Sequence, residues 1–187
     1  MFRQEDAVDY FRTHEGVVSH MYLDIVGLVT IGVGFMLPNP AAAQALKLVR
    51  RGTGKAATKE EKAAEWETVH QQRKAMRAST YKKFTQLDMP DDEIDKQLGV
   101  LIDGFARNLR NRFAKFDRFP DPAQIGLLDM IYSLGPKGLF VGFPKFCAAV
   151  DAQDWKACAR ESRRRNVSDN RNADLKQLFL DAAKVST

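Results

Sequence analysis

The chain has 187 residues, enough for one domain or two small lobes around a proper core. Its hydrophobic content of 44% suits a globular protein, and no window approaches the ~18 uninterrupted apolar residues that a membrane span needs. A net charge of +5 favours anionic partners such as nucleic acid, anionic lipid or bacterial cell wall, without choosing among them.

Residues 1–16 alternate charged and apolar side chains and contain no signal-peptide core, which predicts synthesis in the cytoplasm without a signal peptide. Ala7, Tyr10, Phe11 and His14 fall at helical spacing, so a helix is predicted from Gln4 to His14. Gly16 is placed to stop it. From Met21 the period changes. Tyr22–Asp24 and Leu28–Val33 read as two strands of a tight β-hairpin, with Ile25–Gly27 at its turn. Pro38 and Pro40 end this unit. Residues 41–50 read as a short helix and Arg51–Lys55 as a loop. The run Gly52-Thr53-Gly54-Lys55 lacks the spacing and preceding strand of a phosphate loop.

Thr58-Lys59-Glu60-Glu61 is a capping box that opens a helix running towards Thr80, long enough to join two lobes. Residues 81–92 look irregular, and Pro90 precedes a helix from Asp91 to Asn108 or beyond. Arg107–Arg118 interleaves basic and aromatic residues. That suits a helix with an aromatic inner and a basic outer face, or a nucleic-acid surface. Ala123–Leu134 reads as a buried helix closed by Gly135-Pro136. Phe143–Val150 and Trp155–Arg165 read as further helices, Asn166–Arg171 as a polar loop and Asn172–Val185 as the last helix. Cys147 and Cys158 read as two buried free thiols or one disulfide. No Cys/His cluster suggests zinc, and no metal or cofactor is expected.

The stretch His14–Leu37 carries the candidate chemistry. Asp24 follows Glu15 by nine residues, and Thr30 follows Asp24 by six. Two carboxyl groups facing one cleft are the minimum equipment for cleaving a glycosidic bond. One gives a proton to the leaving oxygen, and the other activates water or attacks. Apolar surroundings keep a carboxyl protonated, and hydration keeps one ionised. Glu15, following an apolar-faced helix, is the candidate acid. Asp24, beside a turn, is the candidate base, and Thr30 can hold the attacking water. A Glu at a helix end and an Asp beside a turn also occur as purely structural features.

Glu15-Gly16, then Tyr22-Leu23-Asp24 with Gly27, then Thr30-Ile31-Gly32-Val33-Gly34 resemble the phage-type lysozymes of glycoside hydrolase family 24. That family has E-G, Y-x-D-x-x-G and T-I-G-x-G at the same spacings. Thr58–Glu61 resembles the start of the family's inter-lobe helix. Leu128–Gly135 resembles its buried central helix. Gly142-Phe143, Trp155 and Asn170-Arg171 resemble later landmarks. The resemblance implies that Glu15 is the catalytic acid, Asp24 the second carboxylate and Thr30 the water-positioning residue. It further implies that Arg171 supports the active site near Glu15, and that Met36 and Tyr132 line the substrate cleft. Phe35 stands where the family usually has His.

The implied fold is α+β and mainly helical: a lysozyme-like, two-lobed domain over 1–187. Residues 15–57 would form a small β-containing lobe, 58–80 the inter-lobe helix, and 1–14 with 81–187 the helical lobe. The implied function is a muramidase cutting the β-1,4 bond between N-acetylmuramic acid and N-acetylglucosamine with inversion, as a phage endolysin, secreted antibacterial effector or bacteriocin domain. It would act as a monomer on peptidoglycan, with an immunity protein or delivery machinery as further partners and no role for nucleic acid. The alternative is a non-catalytic wall-binding module of a phage tail or secretion-system protein.

Overall fold

The structure is a computed structural model that describes residues 3–165 and 167–185. It is α+β and mainly helical, with two small antiparallel sheets. The chain divides into two units, one of residues 11–98 and one of residues 1–10 with 99–187. The division falls inside helix α1 (Gln4–Glu15) and inside helix α5 (Asp91–Arg112). No described helix is long and apolar enough to cross a membrane.

The unit of residues 11–98 is built on a three-stranded sheet in the order β1 (Val18–Leu23), β2 (Val29–Gly32), β3 (Phe35–Met36). Met21, Leu23, Val29 and Ile31 are buried, and so are His20 and Thr30 on the alternate positions, so the central strand β2 is covered on both faces. The predicted hairpin is present, but β1 begins at Val18 and a third strand follows. The pairing shifts between Val18 and Tyr22, so β1 carries extra residues there. Within this irregular stretch the Ser19 carbonyl accepts from Met89 N at 2.7 Å and the Ser19 hydroxyl bonds Asp88 at 3.1 Å.

Helix α2 is Pro40–Ala45, shorter than the predicted 41–50. Asn39 caps it by accepting from Ala42 N, and Pro40 starts it with a preset φ. It ends early because Lys62 donates to the carbonyls of Gln44 and Leu46. The chain then leaves as strand β4 (Val49–Arg50), which pairs with β5 (Leu87–Asp88). Helix α3 is Lys59–His70 and opens on the predicted capping box. It stops ten residues short of Thr80. Only Ala75 and Met76 are apolar between Gln71 and Arg77, too few to bury a continuing helical stripe. Ala75 takes φ +61 in the reversal. The short helix α4 (Ala78–Tyr81) follows, and its buried Tyr81 hydroxyl donates to Arg73 O at 2.7 Å. Segment 58–80 therefore lies within this unit, not as one helix.

The other unit packs α6 (Asp121–Gly142), α7 (Pro144–Asp151), α8 (Trp155–Glu161) and α9 (Asp169–Val185) with the second half of α5. Gly126 lets α9 approach α6: a Cβ there would lie 2.8 Å from the Phe179 ring. Phe179 meets Phe146 edge-on at 5.4 Å. Gly135, at φ +67, interrupts α6 where the predicted helix closes, and a further helical stretch continues to Gly142. Helix α8 ends at Glu161, not Arg165, because Arg164 leaves the helix to reach a buried acid in α6. Helix α9 begins at Asp169, so Asn170 and Arg171 are helical and not loop; Asn166 lies outside the described residues. Cys147 and Cys158 are free and buried. Burial pushes Cys147 up and Cys158 up to about 12. In the stretch 107–118, Phe113 and Phe116 are buried, while Arg110 pairs with Asp117 and Arg112 with Asp151.

Candidate functional site

Glu15 is the last residue of α1, and Gly16 at φ +69 turns the chain away from the helix in a left-handed conformation. One carboxylate oxygen, Oε1, is buried. After Gly16 and Val17 the chain enters β1 at Val18.

Asp24 stands just past the end of β1 and builds the turn that follows. Its Oδ1 accepts from three successive backbone N–H groups: Val26 at 3.0 Å, Gly27 at 2.8 Å and Leu28 at 2.8 Å. Its own N–H donates to Leu28 O at 3.0 Å. The Asp side chain thus does locally what a backbone turn would do, the Asx pattern. Fixing one oxygen fixes the other: Oδ2 has no hydrogen bond among the described residues and is held at a set angle.

Thr30 lies in β2 and is buried. Its hydroxyl donates to Leu28 O at 3.0 Å. With the proton committed, the oxygen is left as an acceptor. Gly32 closes the β2–β3 turn at φ +69, and a Cβ there would sit 2.7 Å from the Phe35 ring. Only glycine fits both the conformation and the ring.

The residue that relates these groups is Tyr22, which pairs directly with Thr30 across the ladder. Its phenol is pushed above its ordinary range by burial first, then by the charge of Asp24, then by that of Glu15. One side chain therefore feels both candidate carboxylates, and Thr30 is its cross-strand neighbour. The sequence offered a signal here, the Tyr in the Y-x-D spacing, but a half-buried strand Tyr reads first as packing.

Met36, on β3 opposite Thr30, is 63% exposed and free to meet a ligand. A cavity of about 470 Å³ in the same unit is lined by Arg50, Arg51, Glu61, Glu65, Thr68 and Phe84, among others. It shares no lining residue with Glu15, Asp24 or Thr30.

Arg171 and Tyr132 belong to the other unit. Arg171 donates through Nε at 3.1 Å and through Nη2 to Oδ1 of Asp129. Asp129 is fully buried in α6 and also receives Arg164 at 2.9 Å and the Tyr10 hydroxyl at 3.3 Å. Asn172 locks the approach to this cluster. Its side chain accepts from Arg164 N at 3.0 Å and donates to Arg164 O at 2.9 Å. Asp129 was missed in the sequence, where a lone Asp in an apolar helical run was the available signal. Tyr132 packs edge-on against Phe105 at 6.0 Å. Among the described residues no group of three or more His, Cys, Asp or Glu side chains is placed to hold a metal ion. No protein-family model matches the chain, and no curated protein matches it.

Proposed function

We propose that this chain is a peptidoglycan hydrolase, a lysozyme-like muramidase that cleaves the β-1,4 bond between N-acetylmuramic acid and N-acetylglucosamine. The observation that supports this reading most is that Asp24 and Thr30 share one hairpin, with Tyr22, the cross-strand partner of Thr30, raised in pKa by burial first and then by the charges of Asp24 and Glu15. The resemblance of the Glu15–Gly34 stretch to the phage-type lysozymes supports it independently.

On this reading Glu15 protonates the leaving glycosidic oxygen. Asp24 takes a proton from water through Oδ2, since Oδ1 is held by the turn. The water attacks C1 from the opposite face, and the configuration inverts. Thr30, its own proton donated to Leu28 O, accepts from that water and orients it. Each proton transfer contributes about 10²- to 10⁴-fold. Met36, exposed on β3, contacts the glycan. The enzyme acts on the wall, as an endolysin or a delivered antibacterial effector, and its positive charge draws it to the anionic polymer.

The test is digestion of purified peptidoglycan, followed by turbidity and mass spectrometry of the fragments. Fragments with reducing N-acetylmuramic acid ends are expected, and proton NMR of fresh product should show the α-anomer first. Glu15→Gln and Asp24→Asn should each lower the rate by at least about 10²-fold. Wall binding without any release of reducing sugar by the wild-type chain would contradict the assignment.

A further inference from the structure

The turn that Asp24 builds is unusual in what it shows to solvent. Ile25 is 81% exposed, Val26 65% and Leu28 42%, three aliphatic side chains at the tip of one hairpin. Exposed turn tips ordinarily carry polar residues, and neighbouring exposed aliphatics mark a surface that meets something apolar.

The neighbourhood of the tip is basic. A Cβ placed on Gly27 would lie 3.3 Å from Lys74 Cδ, so the Lys74 stem lies along the turn. Arg73, Lys74 and Arg77 are all exposed. The segment that carries them is fixed beside β1, because Ala78 O bonds His20 Nε2 at 3.0 Å and Arg73 O accepts from Tyr81. From Thr68 to Leu87 the sequence has five Lys or Arg residues and no Asp or Glu. The only acid in the turn itself, Asp24, has Oδ1 occupied by backbone donors.

We infer that this hairpin tip is a docking surface for an anionic lipid bilayer. Ile25, Val26 and Leu28 enter the boundary between headgroups and acyl chains, and Arg73, Lys74 and Arg77 meet the lipid phosphates. An aliphatic tip with a basic collar is the composition of an interfacial anchor. A protein partner is the less fitting occupant, since the centres of protein interfaces are rich in aromatic residues and depleted of Lys, whereas residues 25–28 hold no aromatic residue and the Lys74 stem lies along them. The inference goes beyond the hydrolase reading and does not rest on it.

The experiment is co-sedimentation of the full chain with vesicles of phosphatidylglycerol and phosphatidylethanolamine, beside vesicles of phosphatidylcholine alone. Binding to the first set only, weakening as salt rises, is expected. Ile25→Ser with Val26→Ser should weaken it by at least about tenfold. Lys74→Glu with Arg77→Glu should weaken it by at least about fivefold for each charge removed. Ile25→Trp should show a blue shift of its fluorescence on adding the anionic vesicles. All these positions are exposed, so circular dichroism and melting should match the wild type. Glu15→Gln should bind vesicles unchanged, which separates this result from loss of hydrolysis. No sedimentation with anionic vesicles, or binding that the tip variants leave intact, overturns the proposal. So does a tip variant that alters self-association while vesicles bind nothing, which would assign the surface to a protein.

Discussion

Tyr22 stands directly opposite Thr30 in the β1–β2 ladder, and its phenol registers the charge of Asp24 and of Glu15. Both charges disfavour the phenolate, behind the larger effect of burial. Neutralising either carboxylate must therefore bring the Tyr22 ionisation down towards its ordinary range. Carbon-13 NMR titration of tyrosine-labelled protein, with Asp24→Asn and Glu15→Gln beside the wild type, measures this without any substrate. An unchanged Tyr22 titration in both variants would separate the two carboxylates and remove the main support for the hydrolase reading.

Thr30 offers a test that divides structure from chemistry. Thr30→Ser keeps the hydroxyl that donates to Leu28 O, whereas Thr30→Val keeps the volume and loses the bond. Losing one hydrogen bond of this kind costs about 1 kcal/mol of stability. If Thr30 also orients the attacking water, Thr30→Val loses about 10²-fold in hydrolysis while Thr30→Ser retains most of it. Denaturant unfolding and wall digestion on the same preparations give the two quantities. A Val variant with full activity and reduced stability would leave Thr30 a purely structural residue.

The hairpin was legible in the sequence because its signals are local. Gly16 ends a helix, the period changes at Met21, and Asp24 with Gly27 makes a turn within five residues. What was not legible depends on distant partners. Strand β5 exists because Leu87 and Asp88 meet Val49 and Arg50, and neither dipeptide announces a strand alone. The end of α8 at Glu161 is set by Arg164, which looks like one more surface arginine in the sequence until it meets the buried Asp129. The candidate acid, base and Thr were visible through the family resemblance, and Tyr22 stood in the same pattern, but its pairing with Thr30 depends on a register that only the folded ladder shows.

Asp129 should be the most sensitive polar position of its unit. It is fully buried, with Arg164 2% exposed beside it and Arg171 and Tyr10 bonded to it. Removing the acid alone leaves the Arg164 charge buried without its partner, which costs about 3–5 kcal/mol. For a chain of this size, Asp129→Ala should lower the melting temperature by roughly 10 °C. Replacing both partners, Asp129→Leu with Arg164→Met, should recover part of that loss, since it removes the uncompensated charge. Thermal melts followed by circular dichroism decide this. A double variant less stable than Asp129→Ala would mean that the pair supplies more than charge balance.

Glu65 gives the fold a pH dependence of unusual sign. It is buried in α3, where its Oε2 accepts from Gln86 N and from Leu87 N at 3.0 Å and so ties the helix to β5. Oε1 is buried with no hydrogen-bond partner among the described residues. Burial pushes the carboxyl up from 4.5 to about 7, against the two N–H donors and Arg51, with Asp88 adding to the rise. The folded chain therefore holds this proton more tightly than the unfolded one, and folding takes up a proton between those two values. The contribution of Glu65 is fully present below pH 4.5 and is lost as pH rises through about 7. The whole change amounts to roughly 3 kcal/mol. Glu65→Gln keeps an oxygen for Gln86 N and Leu87 N but cannot ionise, so it should unfold in urea with a flatter pH dependence and overtake the wild type as the solution becomes neutral. Parallel pH dependences for the two proteins would place the Glu65 carboxyl back in the ordinary acidic range and in contact with water.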